Sequence, residues 1–272
     1  MSTAESLRER IHKANVALNQ SEAEYYEMLH PEIYGRHEQE RIDSTLKIAD
    51  RLVTDNQKKA IDFGAGAGNI TSKLLNMDYT VAALDISAEM CSILRKKYKP
   101  HLEAEKLTII NSPVEEAGFG KSEFDLITCY SVLHHLPDYL EAIKRFSSLL
   151  KKGGVIYLDH EASPFYWKHE SSSGAHWLKE AYFHSNELLN FLYFRINGVN
   201  ISSLDYDLSD YWHKQEHHID HERIESIFRK ERFVFFKRHD YYINRRTWIL
   251  NPIFYPYRYV CKPEMSLWIA KK

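Results

Sequence analysis

The sequence predicts an α/β protein built on a parallel sheet, and three observations carry that expectation. Five short apolar runs, at 59–63, 80–85, 106–111, 124–130 and 155–159, alternate with helix-patterned segments. The first run ends in an acid and leads into glycines at every second position, Gly64, Gly66 and Gly68, within KKAIDFGAGAGNIT (58–71), before a helix opens near Ile70. Strand, glycine turn and helix in that order make a nucleotide-cradling loop. The length, 272 residues, suits one large domain or a core with a sizeable insertion.

Each element follows from local pattern. Residues 5–53 read as helix, with Ile42, Leu46, Ala49 and Leu52 at helical spacing, and His30-Pro31 divides the segment. After strand 1 and a helix over 68–76 comes strand 2, TVAALD, and a helix that Ser87 caps, with Met90 and Leu94 on its inner face. Strand 3 is KLTIIN and strand 4 is FDLITCY. A helix over 138–150 ends in a Lys151-Lys152-Gly153-Gly154 turn before strand 5, VIYLD. Residues 160–219 contain no clean strand, and 176–196 is helical in pattern and rich in aromatics. Asp220 caps a further helix, HERIESIFRKE. FVFFKRHDYYI (233–243) reads as strand 6 and EMSLWIAKK (264–272) as strand 7, separated by an aromatic and arginine-bearing loop. The expected units are a helical N-terminal cap over 1–55, a cofactor-binding core over 56–160, a helical lid over 161–219 and the rest of the core over 220–272.

Bulk chemistry narrows the function. With 36 basic and 38 acidic side chains the formal charge is -2, which offers no footprint for a nucleic-acid backbone. Three cysteines (Cys91, Cys129, Cys261) make neither a disulfide framework nor a cysteine-rich zinc site, so a reducing, cytoplasmic setting is expected. The N-terminus carries no apolar h-region, and no run of 18 apolar residues exists.

The loop spacing decides which nucleotide. Gly64-Ala65-Gly66-Ala67-Gly68 is G-x-G-x-G; a dinucleotide turn needs its third glycine where Asn69 stands. Asp62, just ahead of the loop, would repel a pyrophosphate but suits a cationic amino group. Asp85, 17 residues past Gly68 at the end of strand 2, suits a ribose diol. The ligand these acids describe is a nucleoside with a cationic amino-acid tail, and S-adenosylmethionine fits.

Five segments in register, IDFGAGAGNIT, VAALDIS, NSPVEEAGF, FDLITCYSVLHHLPD and LKKGGVIYL, resemble the class I S-adenosylmethionine-dependent methyltransferases over about residues 58–160. The resemblance implies a seven-stranded Rossmann-like sheet with strand 7 antiparallel between strands 5 and 6. It implies that Asp62 with Gly64, Ala65, Gly66 and Gly68 faces the methionine part of the cofactor. Asp85 would hold the ribose, Ile86 would pack on the adenine, and Val114 and Glu115 would lie at its edge. Cys129 and Tyr130 would form the floor near the sulfonium. Asn111-Ser112-Pro113 stands where relatives often carry an acid for the adenine amino group. Tyr26, Tyr34 and Arg41 are candidates for reaching the cofactor or the acceptor, Arg41 by pairing with the methionine carboxylate.

The acceptor side is less constrained. His134 is read either as a packing residue or as a catalytic one. YWHKQEHHIDHE (211–222) groups His213, His217, His218 and His221, with Asp159 and His160 as further donors. Substrate pocket and solvated surface rank equally for this cluster, metal binding ranks below both, and no metal is expected. His218 is the preferred general base, because imidazole titrates near neutral pH. Tyr211, Trp212 and His217 are expected to line a pocket for a small aromatic or hydrophobic acceptor, methylated on O or N. Two alternatives stay open: a lipid or long-chain acceptor at a membrane reached through 244–263, and a non-catalytic cofactor-binding scaffold. The same loop suits a homodimer contact equally well.

Overall fold

A computed structural model describes residues 5–23, 26–55, 57–166, 188, 192, 195–196, 206–214, 219–243 and 262–272. Most of the expected lid over 161–219, and the loop at 244–261, lie outside these residues.

The N-terminal segment folds as α1 (Leu7–Glu22), the short α2 (Tyr26–Leu29) and α3 (Pro31–Tyr34), and α4 (Arg36–Leu52). Ser6 and Glu9 form a reciprocal capping box that starts α1. Next come β1 (Lys59–Phe63), α5 (Asn69–Asn76), β2 (Thr80–Asp85), α6 (Ala88–Lys97), α7 (Lys99–Glu103), β3 (Leu107–Asn111) and β4 (Phe124–Tyr130). A 3-10 turn, Leu133–His135, leads to α8 (Tyr139–Leu149) and β5 (Leu150–Ala162). The described C-terminal elements are α9 (Tyr206–Ser209), α10 (Tyr211–Lys214), α11 (His221–Lys230), β6 (Phe235–Tyr241) and β7 (Met265–Lys271). The expected caps are in place: the Ser87 hydroxyl accepts from the Met90 amide, and the Asp220 carboxylate from the Arg223 amide.

The seven strands form one sheet in the order β3-β2-β1-β4-β5-β7-β6, with β7 antiparallel to both neighbours. Reversal of order between β1 and β4 opens a crevice at the carboxyl ends of these strands. Alternation along the strands divides the core. Ile61, Phe63, Ile127 and Cys129 face α8 and α11, whereas Ala60, Ala83, Leu126 and Tyr157 face the α4 and α5 side. Thus α4 is not part of a roof. It buries Ile42, Leu46 and Ala49 against the second face of the sheet.

The Lys151–Gly154 turn is corrected. β5 begins at Leu150, which pairs with Phe124, and the next pair is Leu126 with Val155, so the intervening residues bulge within the strand. Gly153 takes the left-handed conformation there (φ 79°) and donates its amide to the Lys272 carbonyl. Among the described residues no helix is long and apolar enough to cross a membrane.

Candidate active site

The crevice opens into two lobes of about 740 and 330 Å³, their solvent-facing mouths included. One lobe is lined by Gly64, Gly66, Asp85, Ile86 and Ser112–Glu115 and roofed by His12, Asn15, Leu18 and Asn19 of α1. The other lies among Tyr26, Tyr34, Asp62, Ala65 and Asn69. Tyr26, Gly64, Gly66, Tyr130 and Ser131 line both lobes and join them.

Two glycines explain the loop. Gly64 has φ 69°, and a Cβ there would stand 2.2 Å from a Val132 methyl, so the loop touches the turn after β4. Gly66 has φ 50°, and a Cβ there would meet nothing within 4 Å. The space that a side chain would fill is ligand space. The Gly66 amide donates to Asp85 Oδ2 at 2.8 Å and the Ser87 amide to Oδ1 at 2.9 Å. These bonds fix the Asp85 carboxylate on the wall, and each of its oxygens keeps a second lone pair to accept from a ligand hydroxyl. Burial raises the Asp85 pKa, against the opposing amide bonds.

Asp62 is also buried, and burial pushes its pKa up to about 6, although the hydroxyls of Thr71 (2.7 Å) and Thr128 (2.9 Å) donate to it. One lobe therefore holds a fixed diol acceptor and the other an acid in want of a cation. This arrangement fits a sulfonium nucleoside with an amino-acid tail, and the residues present fit S-adenosylmethionine. In place of an acid at the end of β3, the Asn111 amide donates to the carbonyls of Asp85 and Ile86 (3.0 and 2.9 Å), so it shapes the ribose turn. Val114 and Glu115 line the first lobe. Burial acts to raise the Glu115 pKa, but the His12 bond, the local backbone and the charges of His12 and Arg8 hold it below the usual range. The ion pairs, 3.3 Å to Arg8 and 3.7 Å to His12, latch α1 onto the cleft.

Several predicted residues take other positions. Cys129 lies beneath the cleft in the apolar core, where burial pushes its thiol well above the ordinary range. Tyr130, the next residue, does line the cleft; its ring stacks on His160 (5.0 Å) and its hydroxyl donates to Glu38 (2.9 Å). Arg41 does not line either lobe. Its guanidinium is bonded to Glu38 and Asp159 (2.9 and 2.8 Å) and sits 3.8 Å from the centre of the Tyr241 ring. Trp212 anchors α10: its indole donates to the Leu136 carbonyl (2.7 Å) and its ring packs edge-on against Tyr139 and Tyr211. His134 is buried against Glu161, and its neighbour His135 reaches the cleft wall. His217 and His218 lie outside the described residues.

Sequence reasoning missed Glu161; it expected a cap from the N-terminal segment without singling out α1, and it named the His134-His135 pair without telling which ring reaches the cleft. The capping box marks α1 as a helix, but nothing local tells where it docks. Asn15 of α1 donates to the His135 carbonyl (2.9 Å) across 120 positions of sequence.

Comparison with known proteins agrees with this geometry. The methyltransferase-domain family profile matches residues 61–158. An uncharacterized methyltransferase of Anoxybacillus flavithermus is 33% identical over 128 residues, 46% of this chain and 58% of that protein. A ubiquinone biosynthesis O-methyltransferase of Vibrio parahaemolyticus is 33% identical over 119 residues, 43% of this chain and 48% of that one. The chain thus spans about half the length of the curated relatives it matches. A SAM-dependent methyltransferase from Archaeoglobus fulgidus shares the fold at 15% identity, with a TM-score of 0.54 over 91% of this chain and 100% of that one. Sheet order, glycine loop, paired acids and profile match converge: residues 61–158 match the methyltransferase domain, the sheet has the order of the S-adenosylmethionine-dependent methyltransferase fold, and the cleft residues fit S-adenosyl-L-methionine as cofactor.

Proposed function

We propose that this protein transfers a methyl group from S-adenosylmethionine to a small aromatic or hydrophobic acceptor, on oxygen in preference to nitrogen. The observation that carries the reading is the joined cleft: an acid in each lobe, and between them a shared wall of Tyr130 and Ser131, with Val132 beside it in the first lobe. Beyond that wall the lining turns apolar at Leu18 and Leu136, with His135 as the ionisable group beside them. An apolar end with few polar groups suits an aromatic ring. Resemblance to relatives named as ubiquinone biosynthesis O-methyltransferases supports oxygen as the target.

When bound, the cofactor supplies a methyl group on a sulfonium, which is an activated leaving group. The chain's own residues bind, orient and enclose. Asp85 would accept the ribose hydroxyls, Asp62 would meet the amino group, and Ile86 and Val114 would hold the base. The α1 roof covers one side of the cleft, and the Tyr130–Val132 wall sets the line of approach. A hydroxyl acceptor must lose its proton, and in this proposal His218 takes it. Its segment is flanked by two anchors, Trp212 on the Leu136 carbonyl and the Asp220 amide on the Tyr139 hydroxyl, both beside the 133–136 turn.

The test is calorimetry with S-adenosylmethionine followed by a release assay for S-adenosylhomocysteine across matched phenol, catechol and aniline acceptors. Saturable binding and faster release with hydroxylated aromatics are expected. Binding without release on any acceptor would leave the scaffold reading standing in its place.

A further inference from the structure

The turn after β4 carries a donor set that methyl transfer by itself does not require. Among the described residues, His134, His135 and Asp210 each place one ligand atom within 4.8 Å of the others. His134 Nε2 lies 3.9 Å from Asp210 Oδ1, and the two imidazole centroids are 4.0 Å apart. These three residues come from two remote segments, the turn at 133–135 and the α9–α10 junction, so the convergence is tertiary.

The tautomers point the same way. His134 Nδ1 bonds Glu161 Oε2 at 2.8 Å, and His135 Nδ1 bonds the Ser209 carbonyl at 2.5 Å. A carboxylate and a carbonyl only accept, so each Nδ1 carries the hydrogen. With Nδ1 donating, Nε2 is the nitrogen that each ring offers to a cation, which displaces any proton held there. A ligating histidine is usually held in this way, with its other nitrogen donating to a carboxylate or a backbone carbonyl. Glu161 does more than orient one ring. Its Oε1 accepts the amides of Val132 (3.0 Å) and Leu133 (2.8 Å), so one buried carboxylate fixes the turn that carries both histidines. Asn15 and Trp212 hold the His135 and Leu136 carbonyls of the same turn.

From this juxtaposition we infer that His134, His135 and Asp210 bind a divalent first-row transition cation at the acceptor end of the cleft, with Glu161 as the residue that positions His134. Two imidazoles and one carboxylate suit zinc, manganese, iron(II) or cobalt(II) better than calcium or magnesium. Three protein donors leave coordination positions open, as catalytic sites do. Contraction of the 3.9 Å separation on binding is a rotamer-scale movement of Asp210, whose side chain is 28% exposed. His135 lines the cleft, so a cation here would face an acceptor oxygen and favour its ionised form. That role rests on the methyltransferase reading, whereas the binding itself does not.

The experiment uses the full chain, stripped with chelator and titrated with Co²⁺, read by visible ligand-field absorption and by calorimetry. One saturable equivalent with a visible band is expected. Asp210→Asn and His135→Gln should each weaken uptake at least tenfold, and Glu161→Gln by about 10- to 100-fold. His239→Ala, on the exposed face of β6, should change nothing. Thermal melts verify that each variant is folded; if His134→Ala is not, the Asp210 and His135 variants decide. Absence of saturable uptake overturns the assignment. So does uptake that survives the Asp210 and His135 variants but is lost in a His217→Ala/His218→Ala double variant. S-adenosylmethionine binding measured on the same metal-free samples keeps the two readings apart, because its loss would sink the methyltransferase proposal and leave the cation site intact.

Discussion

Asp62 is an acid that burial makes reluctant to ionise, and its partner in the complex is a cation. With a pKa of about 6 in the folded protein against 3.8 for the free side chain, the native state holds the proton through that interval. Its contribution to the stability of the ligand-free protein is therefore fully present below about pH 4 and is lost as pH rises through about 6. Cofactor binding has the opposite sign, because an ammonium group favours the carboxylate. Affinity should fall about tenfold for each pH unit below the Asp62 pKa and level off above it. Calorimetry with S-adenosylmethionine between pH 5 and 7 should show this slope. Asp62→Asn should bind weakly, with the slope removed. A wild-type affinity that is flat over the same range would contradict the role given to Asp62.

At the scale of elements, the decisive feature is how α1 is attached. It is latched at one edge by Arg8 and His12 on Glu115, and in its middle by Asn15 on the His135 carbonyl. Its last turn is tied through Glu22 to His30, which also bonds Glu32 (3.3 and 2.9 Å). Burial acts to lower the His30 pKa, but the two carboxylates outweigh it and hold the ring up to about 9, so this tie is charged at neutral pH. These polar contacts add to the packing of α1 on α6 and α9, where Ile11 is buried. Each such bond contributes about 1 kcal/mol, or roughly a fivefold change in local opening. Asn15→Ala should speed hydrogen exchange in α1 by about that factor while amides of β1 and β4 keep their protection. Uniform acceleration through the sheet would mean instead that α1 belongs to the cooperative core.

For the molecule as a whole, β7 is the strand that closes the fold. It lies between β5 and β6 and contributes Trp268, fully buried against the His221 ring at 4.8 Å. Removing that indole should cost about 3–5 kcal/mol, seen as a lower urea midpoint for Trp268→Ala. Because the ring lies outside the cleft lining, cofactor affinity under native conditions should hold. Cofactor at 100 times its dissociation constant should return about 2.7 kcal/mol to either protein. A variant as stable as the wild type would show that the strand is held by its ladder and not by its core face.

Much of this was legible from sequence because it is written at short range. Alternation of apolar runs with helical periods prescribes strands and helices, and Ser87 and Asp220 announce their helices by capping chemistry that spans three residues. The glycine spacing with Asp62 and Asp85 describes the ligand because strand, turn and helix fix those atoms relative to one another. What lies beyond the reach of such patterns is contact between distant segments. Arg41 is 118 positions from the Asp159 carboxylate that holds it away from the cleft, and Asn15 is 120 from the carbonyl it grips. His134 and His135 are adjacent and chemically identical in sequence. Only the packing of Glu161 and the α9–α10 junction against their turn buries one and sets the other on the cleft wall. The sequence by itself determined the sheet, the loop and the two acids, since local sterics and periodicity suffice for them. The tertiary structure alone decided which helix roofs the cleft and which side chains face it, because those choices are made by burial and hydrogen bonding between segments that meet only when the chain is folded.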